Sequence, residues 1–421
     1  MEFFDHVIVG GGVIGASIAY HLSLTGSGSI LVLERNTFAT ASSSKAAGLV
    51  LQASTKYSNF PLAKKTVEII PFLEEETGEP LEYHKVGSVR LAASHDRLSE
   101  LNTMVEIAGK HGIPAKFLKC CEMQKLVPWL RTTNIKKAAF FPTDGYIDPY
   151  RLTWQYIKAA KKNGVTFRPM SDVTDVVVEK NNVNAVVVHN ERIGCCTITD
   201  ACGVWSAIFS SKIGFPVPMA PVRSHYWIAK PDKIYGGDHA ITVMPDISAY
   251  TRPELGGLLL GLQEKQSATF DARRLPEDLQ MFSPSMGEDH WDLLVEVYDD
   301  LAKFFPNLYR AKFSSYVDGV SSYTPDGEII LGGIPGISGF FVAAGDCGHG
   351  IALSAGIGQT ISQLITNGKS QIDISKFKPD RFGSVNPFGQ KFREMCAKAR
   401  SSKSRKSTFK AEPEKKLTNQ T

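Results

Sequence analysis

The spacing of apolar and polar positions divides the chain into strand and helix units from its first residues. Val7 to Val9 is a short β-branched run that breaks at Gly10-Gly11-Gly12, after which apolar residues recur at helical spacing as far as Leu22. A second apolar run, Ile30 to Leu33, ends in Glu34. Lys56 to Thr77, Arg97 to His111 and Tyr150 to Lys162 have helical spacing, the second stopped by Gly112 and the third by Asn163-Gly164. Val86 to Ala92 reads as a strand. Val165 to Phe167, Val173 to Val178 and Asn184 to Val188 read as a small meander turned at Asn181-Asn182. Thr197 to Asp200 is a strand leading into the small-residue turn Ala201 to Ser206. From Val222 to Leu262 the pattern is strand-rich and aromatic, and a helix follows from Trp291 to Phe304. Phe340 to Ala344 is a strand that runs through Gly345, Gly348 and Gly350 into a helix from Leu353 to Ile365. No internal repeat interrupts this order.

The opening unit is a strand, a tight turn and a helix start. Gly10 allows the sharp turn, Gly12 lets the backbone approach a pyrophosphate, and Gly15 lets helix and strand pack closely. The helix terminus beside Gly12, Val13 and Ile14 favours anions. Glu34 stands about 20 residues on, where a carboxylate accepts both ribose hydroxyls of an adenosine. This is a dinucleotide fingerprint, and at this point NAD and FAD are both open. The later junction, Ala344 to Gly350, is a second glycine-rich helix start and implies a cofactor long enough to reach a helix terminus at each end.

Composition sets the class. With 43% hydrophobic and 21% charged residues over 421 positions, the chain reads as soluble and globular with room for two domains. No apolar run has the length of a membrane span. The fingerprint begins almost at Met1, which leaves no room for a leader ahead of it, so the expected compartment is the cytoplasm. Seven cysteines, with adjacent pairs Cys120-Cys121 and Cys195-Cys196, match neither a disulfide framework nor a CxxC metal site. No metal is expected. The net charge of +4 sits in the tail: from Lys391 onward there are ten Lys or Arg against three acids. Residues 383–421 are expected to be a basic, largely disordered extension, since Ala399 to Thr421 has few large apolar residues. A solvated tail is a plainer reading of Lys403 to Lys406 than nucleic-acid contact, and no nucleic-acid partner is expected.

With the glycine junctions placed, the chain resembles the D-amino-acid-oxidase-type FAD oxidoreductases, and within them the sarcosine and dimethylglycine dehydrogenase group. The motifs that carry the resemblance are VIVGGGVIGASIAYHL with LERN, SSSKAAGL, FFPTDGYIDP, SDVTDV, DACGVWS, YTRPELGGLLLGL, YTPDGEIILG and AAGDCGHGIALSAGIGQ, between about Asp5 and Phe382. The resemblance implies an α/β fold, α+β overall: a Rossmann-like FAD-binding domain (1–80, 145–220 and 320–382) with an interleaved antiparallel-sheet substrate domain (81–144 and 221–319). It implies that Gly10, Gly12, Gly15, Glu34 and Arg35 hold the AMP half, with the backbone at Val173 beside the adenine. It places Ser43, Ser44, Lys45, Ala46 and Gly48 on the flavin side, Gly203 and Trp205 at the DACGVWS turn, and Gly345, Gly348, His349, Gly350 and Ile351 at the flavin ring. Relatives link flavin through a His where this chain has Lys45, or a Cys where it has Gly319, so noncovalent FAD is expected. Oxidase relatives place a Lys where this chain has Leu259, which favours a dehydrogenase, with Lys45 as a possible substitute cation. The mitochondrial relatives continue into a folate-binding half, so a removed one-carbon unit is expected to leave as formaldehyde.

The implied chemistry is hydride removal beside an amine nitrogen, giving an imine that water hydrolyses. The expected substrate is a small N-methyl amino acid or a related secondary or tertiary amine. The electron acceptor is a quinone, an electron-transfer protein or oxygen. Aromatic candidates for the substrate pocket are Tyr226, Trp227, Tyr250 and Tyr323. His349 is the candidate hydrogen-bond or proton partner of the flavin, because its ordinary pKa lies nearest neutral; His225 and His239 read as structural. Arg252, two residues from Tyr250 on one strand face, is the candidate carboxylate holder, with a salt bridge to Glu254 as its competing role. The reading from another class is a catalytically silent, FAD-holding regulatory or assembly protein of the same fold.

Overall fold

The computed structural model describes residues 1–286 and 290–403. Its first sheet is built on the parallel strands Glu2–Val9 and Ile30–Leu33, with Glu191–Asp200 and Phe340–Ala344 continuing on one side and Thr166–Arg168 on the other. Ile330–Gly333 pairs antiparallel with Phe340–Ala344, and the meander Val173–Glu179 and Asn182–Val188 hangs antiparallel on Glu191–Asp200. A parallel sheet is covered on both faces, so its strands read as unbroken apolar runs. All of Ile30–Leu33 and the last four residues of Glu2–Val9 are buried accordingly. Ile8 and Val32 point into a core made with helices Val13–Ser23, Phe60–Thr77, Pro149–Lys162 and Gly350–Asn367. Val7, Val9, Leu31 and Leu33 point the other way, onto the meander and Phe209.

The second sheet has the order Phe313–Tyr323, Ala220–Ala229, Gly257–Leu262, Ala249–Glu254, Ile241–Met244, Ser88–Ala92, Lys137–Phe141, Lys116–Phe117. It is antiparallel except where Ile241–Met244 runs parallel to Ser88–Ala92, the pairing that joins two distant stretches of chain. Register matters here: Arg90 pairs with Val243, Val243 with Tyr250, Tyr250 with Gly261 and Gly261 with Tyr226. These residues form one straight row across the sheet.

Two expectations are corrected. The boundary at 319/320 falls inside Phe313–Tyr323, an eleven-residue strand paired along its length with Ala220–Ala229, so one strand serves both the sheet and the nucleotide side. The extension is not disordered from residue 383: Gln390–Ser401 is a helix whose Phe392, Cys396 and Ala397 bury against Ala220, Val222 and Tyr323. A composition averaged over the tail hides this, because Phe392, Cys396, Ala397 and Arg400 recur at helical spacing among polar residues. The rest of the tail, from 404, lies outside the described residues.

Candidate functional site

A cavity of about 590 Å³ opens along the C-terminal ends of the first sheet's strands and over one face of the second. That volume is ordinary for a small-molecule or cofactor site. At one end is the first glycine turn. Gly10 has φ +113, and a Cβ there would run into the Ala201 carbonyl; a Cβ on Gly15 would run into the Gly10 carbonyl. Both positions therefore admit only glycine. The following helix has no side-chain cap at Gly12, which lines the cavity with Val13 and Ile14, and the Val13 N–H donates to Ser43 Oγ at 3.1 Å. Glu34 accepts the Gly11 N–H at 2.7 Å on Oε2 and the Asn36 N–H at 2.9 Å on Oε1. Backbone donors thus fix the carboxylate against the cavity, with lone pairs left for two hydroxyls.

Arg35 lies over the Trp205 ring, 4.4 Å from its centroid, and its Nε has no acceptor among the described residues. Both line the cavity, as do Val173 and Gly203. Asp200 holds this turn by accepting the Cys202 N–H and the Ser206 hydroxyl, and burial pushes its pKa up to about 6.

In the middle, Ser43, Lys45, Ala46 and Gly48 line the cavity and Ser44 does not, being exposed and bonded to the Ala41 carbonyl. Lys45 donates to the Phe282 carbonyl at 2.6 Å and lays its stem across Gly319; burial lowers its pKa. At the second glycine junction, Gly345 (φ +64) supports the turn from beneath without lining the cavity, while Gly348, His349, Gly350 and Ile351 line it. Asp346, missed by the sequence reading although it stands inside the motif, accepts from Ser322 Oγ and the Gly350 N–H, both at 2.7 Å. His349 precedes the helix Gly350–Asn367. Its Nδ1 is buried without a partner among the described residues, and burial together with the nearby Lys403 holds its pKa well below the usual value. The shift favours the neutral imidazole at this place.

The far wall is the second sheet. Tyr226, Tyr250 and Tyr323 line the cavity, whereas Trp227 is fully buried against His225 and Tyr316 and does not. Burial raises Tyr250 to about 12, so its hydroxyl stays protonated. His225, read as structural, lines the cavity with both ring nitrogens unpartnered among the described residues, and burial with nearby Arg400 keeps it neutral.

Arg252 is a correction. Its Nε donates to the Ala47 carbonyl at 2.7 Å, its Nη1 donates to the Pro253 carbonyl and pairs with Glu254, and its guanidinium stacks on Tyr146; it does not line the cavity. Leu259 is also outside the lining. It lies one step beyond the Tyr226, Gly261, Tyr250 row, beside Arg252 and Ile228.

The cavity's cations come from elsewhere. Arg90, Arg400 and Lys403 all line it. Arg90 had a signal in the sequence, as the one charge within the expected strand Val86 to Ala92, and the structure buries all five residues of Ser88–Ala92. Arg400 and Lys403 had only the faint helical spacing of the tail.

The family of FAD dependent oxidoreductases matches residues 5–364. The chain is 28% identical over 387 residues to mitochondrial dimethylglycine dehydrogenase of Rattus norvegicus, covering 90% of this chain and 45% of the relative. It is 30% identical over 380 residues to the formaldehyde-forming 4-methylaminobutanoate oxidase of Paenarthrobacter nicotinovorans, covering 89% and 45%. The chain thus spans less than half the length of these relatives. The crystal structure of L-proline dehydrogenase from P. horikoshii superposes with a TM-score of 0.80 at 24% identity, over 91% of this chain and all of the other, and shares its fold.

Proposed function

The chain belongs to the FAD dependent oxidoreductase family, and from that premise we propose that it oxidises the carbon–nitrogen bond of a small N-methylated amino acid, or a related secondary or tertiary amine, to an imine that water hydrolyses. The observation that carries this reading is that both glycine junctions and the tyrosine-lined, cation-bearing sheet wall one continuous cavity.

The residues fit the cofactor. Gly10 and Gly15 leave no room for side chains, Glu34 is fixed with free lone pairs, and Arg35 and His349 keep buried nitrogens without partners among the described residues. In this reading Gly12, Val13 and Ser43 hold the pyrophosphate, Glu34 the ribose, Arg35, Trp205 and Val173 the adenine side, and Gly348 to Ile351 the flavin end. Bound FAD supplies the acceptor for the hydride equivalent. The chain supplies the substrate's setting. An alkyl amine with a pKa near 10.4 costs about 4.6 kcal/mol to deprotonate at pH 7, and only its neutral form can expel hydride. A pocket lined by Tyr226, Tyr250 and Tyr323, with Arg400 and Lys403 close by, disfavours an ammonium through desolvation and like charge.

Bleaching of the oxidised yellow protein by candidate amines, without oxygen, tests this. Sarcosine or dimethylglycine is expected to bleach it. No bleaching by any N-methyl amine would instead make the protein a flavin-holding regulator without turnover. Reoxidation of the reduced protein in air and with a quinone then identifies the acceptor class.

A further inference from the structure

With Arg252 committed to Glu254, the question is which groups the buried cations of the cavity are meant to meet. Arg90 is 7% exposed. Its one hydrogen bond is a long 3.4 Å contact from Nη1 to the Ala53 carbonyl, its Nε has no acceptor, and no carboxylate pairs with it among the described residues. Arg400 is 3% exposed at the end of the C-terminal helix. It donates through Nε to Ser224 Oγ (3.3 Å), through Nη1 to Ser267 Oγ (3.1 Å) and through Nη2 to the Leu262 carbonyl (3.2 Å). A guanidinium has five N–H donors, so two remain, one on each terminal nitrogen. The carboxylate beside it, Glu264, is 3.6 Å away and makes its short 2.6 Å bond to Arg223. Buried charges are ordinarily paired; Arg400 shares Glu264 with Arg223, Arg90 has the buried carboxylates of Glu100 and Asp144 in its surroundings with neither in direct contact, and both arginines keep N–H donors to spare in the cavity wall.

Their placement is set by the sheet. Arg90 begins the row that continues through Val243, Tyr250 and Gly261 to Tyr226, and Arg400 is bonded to Leu262, next to Gly261, and to Ser224, on the strand of Tyr226 and on the same face. Neighbouring strands lie about 4.8 Å apart, so three spacings separate the backbone of Arg90 from that of Gly261 by roughly 14 Å. Tyr250 lies between, its ring occupying the space over Gly261. The arginines therefore stand at the two ends of a tyrosine floor.

We propose that the substrate carries two acid groups: Arg400 takes the carboxylate next to the amine through its two free N–H donors, Arg90 takes a second acid group at the other end of the row, and the reacting amine lies over Tyr250. The substrate class is an N-substituted dicarboxylic amino acid. This rests on the amine-oxidising reading above and narrows it. A monocarboxylic substrate would leave the Arg90 donors with no acceptor beyond the distant Ala53 carbonyl.

The test uses the oxidised holoprotein and two probes that differ by one carboxylate, glutarate and butyrate, with binding read from the visible flavin bands. The wild type is expected to bind glutarate roughly tenfold or more tightly than butyrate. Arg90→Met is expected to erase that preference and leave butyrate affinity unchanged, whereas Arg400→Met weakens both. Arg90→Lys, which keeps the charge, should retain part of the preference and controls for folding, with flavin content as a second check. Equal binding of both probes by the wild type overturns the proposal, as does an Arg90→Met protein that keeps the preference or loses both probes together with flavin. Anaerobic bleaching on the same samples separates the two readings. Glutarate preference without bleaching by any amine sinks the oxidation reading and leaves the anion pair standing. Bleaching without the preference sinks the anion pair alone.

Discussion

The guanidinium of Arg252 closes on the carboxylate of Glu254, two residues along the same strand, with its Nε on the Ala47 carbonyl at 2.7 Å. The pair ties the sheet to the loop that carries Ser43 to Gly48 along the cavity. Arg252→Met is expected to lower stability by about 1.5–3 kcal/mol, the usual worth of hydrogen bonds to charged groups. It should leave carboxylate affinity unchanged, because the side chain does not reach the cavity. Denaturant melts beside butyrate titrations check this, and a tenfold loss of butyrate affinity at unchanged stability would restore Arg252 as a ligand.

Glu34→Ala is expected to lose most FAD. The two ribose hydroxyls lose an ionic acceptor, at about 1.5–3 kcal/mol per charged hydrogen bond. The structure adds a second consequence: the Gly11 and Asn36 N–H groups lose their acceptor as well, so the apoprotein's melting temperature should also fall. Glu34→Asp should keep more flavin than Glu34→Ala. Full occupancy in the Ala variant would remove Glu34 from the ribose site.

FAD is expected to be noncovalent. Lys45 stands where relatives carry a linking His, and its amine is held on the Phe282 carbonyl while its stem crosses Gly319, the other linkage position. Acid precipitation should leave a colourless pellet and a yellow supernatant; a yellow pellet contradicts the assignment.

Lys403 gives the site a pH dependence. Burial depresses its pKa to about 8, while its Nζ rests on the Gly348 carbonyl at 3.3 Å. The folded protein therefore binds fewer protons than the unfolded chain between about pH 8 and the ordinary lysine pKa near 10.4. This group's destabilising contribution is fully present below about pH 8 and is relieved as pH rises toward that ordinary value. For anion binding the sign is opposite: butyrate affinity should fall as pH rises through about 8 and the ammonium loses its charge. Lys403→Met should remove that break from the titration, and an unchanged pH profile would place Lys403 outside the anion site.

The local sequence sufficed wherever a function depends on neighbours in the chain. Gly10, Gly12, Gly15 and Glu34 belong to one strand–turn–helix–strand unit, and the Gly15 Cβ is excluded by Gly10 and the Glu34 carboxylate is held by Gly11 and Asn36, so the shape of that turn was legible locally, while the Ala201 carbonyl that excludes a side chain at Gly10 arrives only with the fold. Gly348 to Ile351 were likewise legible as a glycine-rich helix start, and the structure brings them to the same cavity. At the proposed substrate end the tyrosines Tyr226, Tyr250 and Tyr323 were legible, but the cations were not, because those residues meet only through sheet register and chain return. Tyr250 and Arg252 share a strand face, yet on this strand the cavity takes in Tyr250 and not Arg252, whose guanidinium closes on Glu254. Arg90 comes to that row through the parallel pairing of Ser88–Ala92 with Ile241–Met244, about 150 residues away in the chain, which no local pattern announces. Arg400 arrives on a helix whose polar composition reads as a solvated tail until Phe392, Cys396 and Ala397 have Tyr323 and Val222 to pack against. Burial of those apolar positions carries the cation into the cavity, and only the folded chain brings that surface to them.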